Sequence, residues 1–251
     1  MYLKWLKVIF FILLFNSYSV VYAEEFQIAT IVNFHETLEV LLKSFTKNTG
    51  HKATITADAA LNLHKQIKDG ATFDILLSSD VNTPRMLEEA GLGLAGTRFT
   101  YSIGKLILWS PNPQLVDSKG EILHRSEFEH LVMINPKGPY GIVTQQVLEK
   151  MGVWENLQAK LIFVDTFTQM HQAIAEGKAQ LGFTALSMLH PSGKIEGSFW
   201  MIPKNFYSPI DQQAILLKHG ADNKAAKAFW DFLKSPQARN VIETYGYSLP
   251  K

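Results

Sequence analysis

Lys65 to Asp80 reads KQIKDGATFDILLSSD, and this stretch decides the fold. Gln66, Ile67 and Lys68 have the pattern of a last helical turn. Gly70 follows as the stop, because glycine adopts the left-handed conformation after a helix at least cost. Ile75, Leu76 and Leu77 then form an unbroken apolar run, the pattern of a short strand covered on both faces in a parallel sheet. Ser78, Ser79 and Asp80 make a polar tip at its carboxyl end, the edge where open α/β sheets place their ligands.

The same rhythm extends in both directions. Toward the N-terminus, Phe26 to Ile31 reads as a strand. Leu38, Leu41, Leu42 and Phe45 recur at three-and-four spacing to give a helix ending at Gly50, and Lys52 to Thr56 is a second strand. A helix from about Ala60 to Lys68 leads into the quoted strand, and Asn82 to Glu89 makes the next helix, with Pro84 in its first turn. Tyr101 to Trp109 (YSIGKLILW) is a long apolar extended run, broken by Pro111-Asn112-Pro113, and reads as a strand passing from one lobe to another.

A second series follows. Leu131 to Ile134, Lys160 to Val164 and Ala179 to Thr184 read as strands, separated by helices at Gly141 to Lys150 and Gln169 to Glu176. Phe199 to Ile202 and Asp211 to Leu217 are extended, and the latter is placed to return the chain to the first lobe. Asn223 to Leu233 and a helix restarted by Ser235-Pro236 close the sequence. Successive βα units of this length imply α/β architecture: two lobes, each a mostly parallel sheet flanked by helices, joined by two extended hinge crossovers. The expected division is residues 24–104 with 212–251 for lobe 1 and 105–211 for lobe 2.

The first 23 residues stand outside this pattern. Lys4 and Lys7 precede the apolar run Val8 to Phe15, and Val21-Tyr22-Ala23 supplies a cleavage site after Ala23, the organisation of a secretion signal. The run is too short to span a bilayer. Removing it takes away two lysines and no acid, so the net charge moves from +1 to about −1. Nothing in that balance favours a nucleic-acid surface. The chain has no cysteine, which excludes disulfides, thiol chemistry and a cysteine-linked lipid. These features point to a freely diffusing periplasmic protein.

Catalytic templates are missing. No nucleophile elbow, phosphate loop, H-E-x-x-H pair or dinucleotide fingerprint occurs, and the eight histidines show no ligand spacing, so neither an enzyme, a metal nor a cofactor is expected. What does recur is a polar turn between a strand and a helix. Five are present: Asn33-Phe34-His35, Asp58-Ala59-Ala60, Ser78-Ser79-Asp80, Pro139-Tyr140-Gly141 and Asp165-Thr166-Phe167-Thr168. Helix N-termini carry free amide donors and partial positive charge, so several converging on one cleft hold an anion without lysine or arginine. Taken singly, Asn33, Asp58, Asp80 and Thr166 also fit ordinary N-caps.

With these motifs in place, the chain resembles the periplasmic molybdate-binding proteins of ABC importers, within the two-lobed type II solute-binding fold. KQIKDGATFDILLSSD is similar to that family's R-Q-I-x-x-G-A-x-A-D-L-F-I-S-A-D, and Pro139 to Leu148 (PYGIVTQQVL) to its P-A-G-I-Y-A-x-x-A-L. Met151-Gly152-Val153-Trp154, Ala179-Gln180-Leu181-Gly182 and the terminal LKSPQARNVIETYGY, Leu233 to Tyr247, extend the match over nearly the whole chain.

The resemblance implies capture of a small oxyanion by a monomeric binding protein and delivery to an inner-membrane permease. It implies a ligand site at Asn33, Phe34, Ala60, Leu61, Tyr140, Gly141, Phe167 and Ala185, with His35, Asp58, Ser79 and Thr166 as further cleft residues. Asn33 stands where the family has serine, Ala59-Ala60-Leu61 where it has a serine triplet, and Ala185 where it has a tyrosine hydroxyl. Two alternatives stay open: an organic or cationic solute, walled by Phe34, Tyr140 and Phe167 and anchored by Asp58 or His35, and a periplasmic sensor module.

Overall fold

The computed structural model describes residues 23–189 and 194–250. The expected secretion signal, but for Ala23, lies outside the described residues. In chain order the elements are β1 (Glu25–Ile31), α1 (His35–Thr49), β2 (Lys52–Asp58), α2 (Ala60–Lys68), β3 (Ile75–Leu77), α3 (Asn82–Glu89), β4 (Phe99–Gly104), β5 (Leu106–Ser110), α4 (Ile122–Arg125), β6 (Leu131–Ile134), α5 (Pro139–Lys150), α6 (Trp154–Leu157), β7 (Leu161–Val164), α7 (Phe167–Ala175), β8 (Leu181–Ala185), β9 (Ser198–Met201), β10 (Ile210–Leu216), α8 (Lys224–Phe232) and α9 (Pro236–Thr244).

Among the described residues the strands form two five-stranded sheets, in the orders β2-β1-β3-β10-β4 and β7-β6-β8-β5-β9. Each has a parallel half, β2-β1-β3 or β7-β6-β8, built from the βα units. The remaining strands join antiparallel, β10 beside β3 and β4, and β5 beside β8 and β9. The apolar run from Tyr101 to Trp109 is thus two strands in two sheets, parted at Lys105. An apolar pattern reports burial, which is equal on both sides of that break, and so cannot reveal it.

The decisive stretch folds as its residues dictate. Gly70 has φ of +97°. Its amide donates to Ile67 O at 3.1 Å and the Ala71 amide to Gln66 O at 3.0 Å, the bond pair that closes a helix through a left-handed residue. Ile75 and Leu77 face a core with Phe26, Ile28, Leu41, Phe45 and Phe229, under α1, α8 and α9. Leu76 faces the opposite side, with Leu63, Ile67 and Leu87 of α2 and α3. Both faces of β3 are therefore covered, which explains its continuous apolar sequence. The second sheet has its own core, including Leu131, Met133, Val147, Leu148, Met170 and Ile174.

Candidate functional site

The parallel registers bring the helix openings together in pairs. Ile31 is level with Asp58 at the ends of β1 and β2, so the turn at Asn33 lies beside the start of α2. Ile134 is level with Val164 at the ends of β6 and β7, which sets the start of α5 beside that of α7, with the Tyr140 and Phe167 rings 5.0 Å apart. The first backbone bonds of these helices are Leu63 N to Ala59 O, Ile142 N to Gly138 O and Met170 N to Thr166 O. The amides of Ala60, Leu61, Tyr140, Gly141, Phe167 and Thr168 precede them, where no helical carbonyl is available.

Between the two sheets lies a cavity of about 390 Å³. Val32, Asn33, His35, Glu36 and Ala57 line it from the first sheet's side, and Ser187 and Met188 from the second. Asn33 is held in place from the far end of the chain: its Nδ2 donates to Tyr247 Oη at 3.2 Å, and Tyr247 Oη donates to Asn33 O at 2.5 Å. Beneath them a buried polar network crosses between the sheets. Tyr101 Oη and Ser102 Oγ donate to Gln212 Oε1 at 3.3 and 2.9 Å, and Gln212 Nε2 donates to Tyr140 Oη at 3.4 Å. Burial pushes the Tyr101, Tyr140 and Tyr247 hydroxyls well above their ordinary range, which keeps the network neutral.

Gly141 makes the α5 opening possible. A Cβ there would stand 1.9 Å from Asn135 O, so only glycine lets the helix start press against the loop leaving β6. Gly138 caps the helix and Pro139 takes its first position, which pre-sets the helical φ.

The other expected residues are placed as follows. Phe34 is wholly buried, its ring packed on Tyr101 and Tyr247 at 4.7 and 5.4 Å. The Tyr140, Phe167 and Ala185 side chains belong to the second core. Leu61 is 75% exposed, so what α2 offers a ligand here is its backbone. Asp58 is turned onto its own helix, accepting from the Ala59 amide at 2.7 Å, Asn62 Nδ2 at 2.9 Å and Gln66 Nε2 at 3.2 Å. Thr166 forms a capping box with Gln169. Asp80, just before α3, accepts from the Thr83 amide at 2.6 Å, while neighbouring Ser79 is buried but does not line the cavity. His35 does line it, with Nε2 3.9 Å from Glu39 Oε1.

Sequence reasoning missed Val32, Glu36, Ala57, Ser187 and Met188, and the anchoring role of Tyr247. The signal for Ser187 was the same as for Ser79, a hydroxyl just past the carboxyl end of a buried strand. Among the described residues no group of three or more His, Cys, Asp and Glu is arranged to hold a metal ion. No described helix is long and apolar enough to cross a membrane.

Comparison with known proteins identifies the family and supports the fold. Residues 26–248 match the model of the bacterial extracellular solute-binding protein family. The chain is 43% identical over 229 residues to the molybdate-binding protein ModA of Azotobacter vinelandii, covering 90% of this chain and 91% of that one. It is 41% identical over 220 residues to ModA of Rhodobacter capsulatus, covering 87% and 86%. The solved structure of the Azotobacter vinelandii periplasmic molybdate-binding protein superposes with a TM-score of 0.84 at 38% identity, over 90% of this chain and 100% of that one. The chain belongs to the bacterial extracellular solute-binding protein family, together with these molybdate-binding relatives.

Proposed function

We propose that this protein captures a small oxyanion of the molybdate and tungstate type between its two lobes and delivers it to the membrane permease of an ABC importer. The observation that carries the proposal is the pairing of helix openings, α2 beside the Asn33 turn on one sheet edge and α5 beside α7 on the other; the cavity between the sheets is lined by Asn33 and Ser187 and, among the described residues, by no lysine or arginine. Neutral amide donors at helix N-termini hold an oxyanion by short, charge-assisted hydrogen bonds. The two relatives above are named for binding molybdate. It acts as a binding protein and not as an enzyme.

In this proposal residues 24–104 with 212–251 and residues 105–211 are the lobes. They close about crossovers at Tyr101 to Lys105 and Asp211 to Ala214, as hinge-bending binding proteins do. The protein works as a monomer in the periplasm after cleavage following Ala23. The ligand is held by the amides opening α2, α5 and α7 and by Asn33.

Thermal unfolding with added oxyanions tests this. At a ligand concentration of about 1,000 Kd, linkage adds about 4 kcal/mol, which for a chain of this size raises Tm by roughly 8 to 16 °C. Molybdate and tungstate should produce such a rise and the smaller sulfate less. No rise with either would refute the proposal. Glu36 in the cavity wall favours a second occupant, an organic or cationic solute. A shift from such compounds alone would select it.

A further inference from the structure

Among the described residues two buried side-chain oxygens have no hydrogen-bond partner, Thr30 Oγ1 and Ser187 Oγ. A buried hydroxyl without a partner destabilises the fold, and native proteins keep few of them. The two differ in access. Thr30 is completely covered within β1, whereas Ser187, only 6% exposed, forms part of the cavity wall.

The Tyr247 hydroxyl lies close to Ser187 Oγ without a hydrogen bond of good geometry between them; it donates to Asn33 O and accepts from Asn33 Nδ2. The backbone is fixed as well. Ser187 lies in the short 3-10 turn Leu186–Met188 directly after β8; the Leu186 amide donates to Lys105 O at 2.9 Å, and Gly246 packs against the Leu186 side chain and the Ser187 amide. A hydroxyl held this rigidly, buried, unpartnered and lining a cavity, is a donor set in place for a ligand.

We propose that Ser187 donates a hydrogen bond to the bound oxyanion and is a specificity-determining residue of the cleft. This assignment rests on the oxyanion role proposed above. Ser187 follows a strand of the second sheet and Asn33 a strand of the first, so an anion that takes both spans the two lobes and stabilises their closed arrangement. Ala60 at the start of α2 and Ala185 at the end of β8 have no side-chain donor. Ser187 is therefore the hydroxyl by which this cleft distinguishes an oxyanion from a neutral solute of similar size.

The test is calorimetric titration of the purified protein with sodium molybdate, for the wild type, Ser187→Ala and Ser187→Thr, with the ligand-free Tm of each. Losing a donor to a charged group should weaken Ser187→Ala about 10- to 100-fold. Its ligand-free Tm should not fall, because the variant removes an unpaired buried hydroxyl, and Ser187→Thr should retain most of the affinity. Wild-type binding with Ser187→Ala equally tight would overturn the assignment and leave the oxyanion role standing. A ligand-free Tm that falls in step with affinity would overturn it too, by showing a structural role. Absence of molybdate binding to the wild type would remove the oxyanion role and this assignment together.

Discussion

Replacing Tyr247 by phenylalanine probes how a residue at the end of the chain controls a turn 214 positions earlier. The substitution keeps the ring and its 5.4 Å contact with Phe34 but removes the oxygen. That oxygen gives its proton to Asn33 O at 2.5 Å and receives Asn33 Nδ2 at 3.2 Å. Asn33 is only 7% exposed, so water cannot readily replace either bond. Each of the two buried groups left unpaired costs about 1 to 3 kcal/mol, so the variant should lose about 2 to 6 kcal/mol. For a chain of this size that lowers Tm by roughly 4 to 24 °C. Differential scanning calorimetry measures the loss directly, and chemical unfolding with an unchanged denaturant slope would show that the native state itself is destabilised. Oxyanion affinity should fall as well, because Asn33 is released at the cavity wall. A Tm at the wild-type value with unchanged affinity would refute the idea that Tyr247 sets the Asn33 turn.

Alkaline pH should destabilise the protein through its buried tyrosines. Tyr101, Tyr140 and Tyr247 all titrate above their ordinary value of 10.0 in the folded state, so above that pH the unfolded chain loses protons that the native state keeps. Stability is then full below pH 10 and falls above it by about 1.4 kcal/mol per pH unit for each tyrosine. Guanidinium unfolding against pH should show the fall, Tyr140→Phe should reduce its slope by one proton, and a flat profile would contradict the burial argument. Gly141→Ala places a methyl group 1.9 Å from Asn135 O, so the start of α5 must move. Overpacking of this kind costs about 1 to 3 kcal/mol, and titration should also show weaker oxyanion binding; wild-type behaviour would mean that the α5 opening is not part of the site. Asp58→Asn removes a negative charge from the start of α2, which should cost the helix about 0.3 to 1 kcal/mol and tighten oxyanion binding. Weaker binding would show that the carboxylate serves the ligand.

The scaffold was legible because its signals are local. Gly70, the β3 run, the Asn223 and Ser235 caps and the Thr166 capping box each follow from residues a few positions apart, and the structure has all of them. The split at Lys105 and the antiparallel return of β10 were not legible, because sheet membership depends on partners more than 70 residues away. The site divides in the same way. Strand ends and helix starts located the turns, but not the direction of their side chains. Phe34, Tyr140 and Phe167 are apolar residues beside a cleft, and only packing decides that their rings enter the lobe interiors. Ser187 carries the same local mark as Ser79, a hydroxyl just past a buried strand, but the apolar neighbours Ala185, Leu186 and Met188 hide it. Its unpartnered hydroxyl becomes visible only when Tyr247 and Asn33 are set beside it.

In the proposed binding mode one oxyanion sits between the lobes, against the openings of α2, α5 and α7 and the Asn33 and Ser187 side chains. A crystal of the protein grown with tungstate and measured at a tungsten absorption edge tests it directly, because the anomalous signal locates the metal independently of the protein atoms. One strong peak in the cavity between Asn33 and Ser187 is the predicted result. No peak there at saturating tungstate, or a peak only on the outer surface of one lobe, would contradict it.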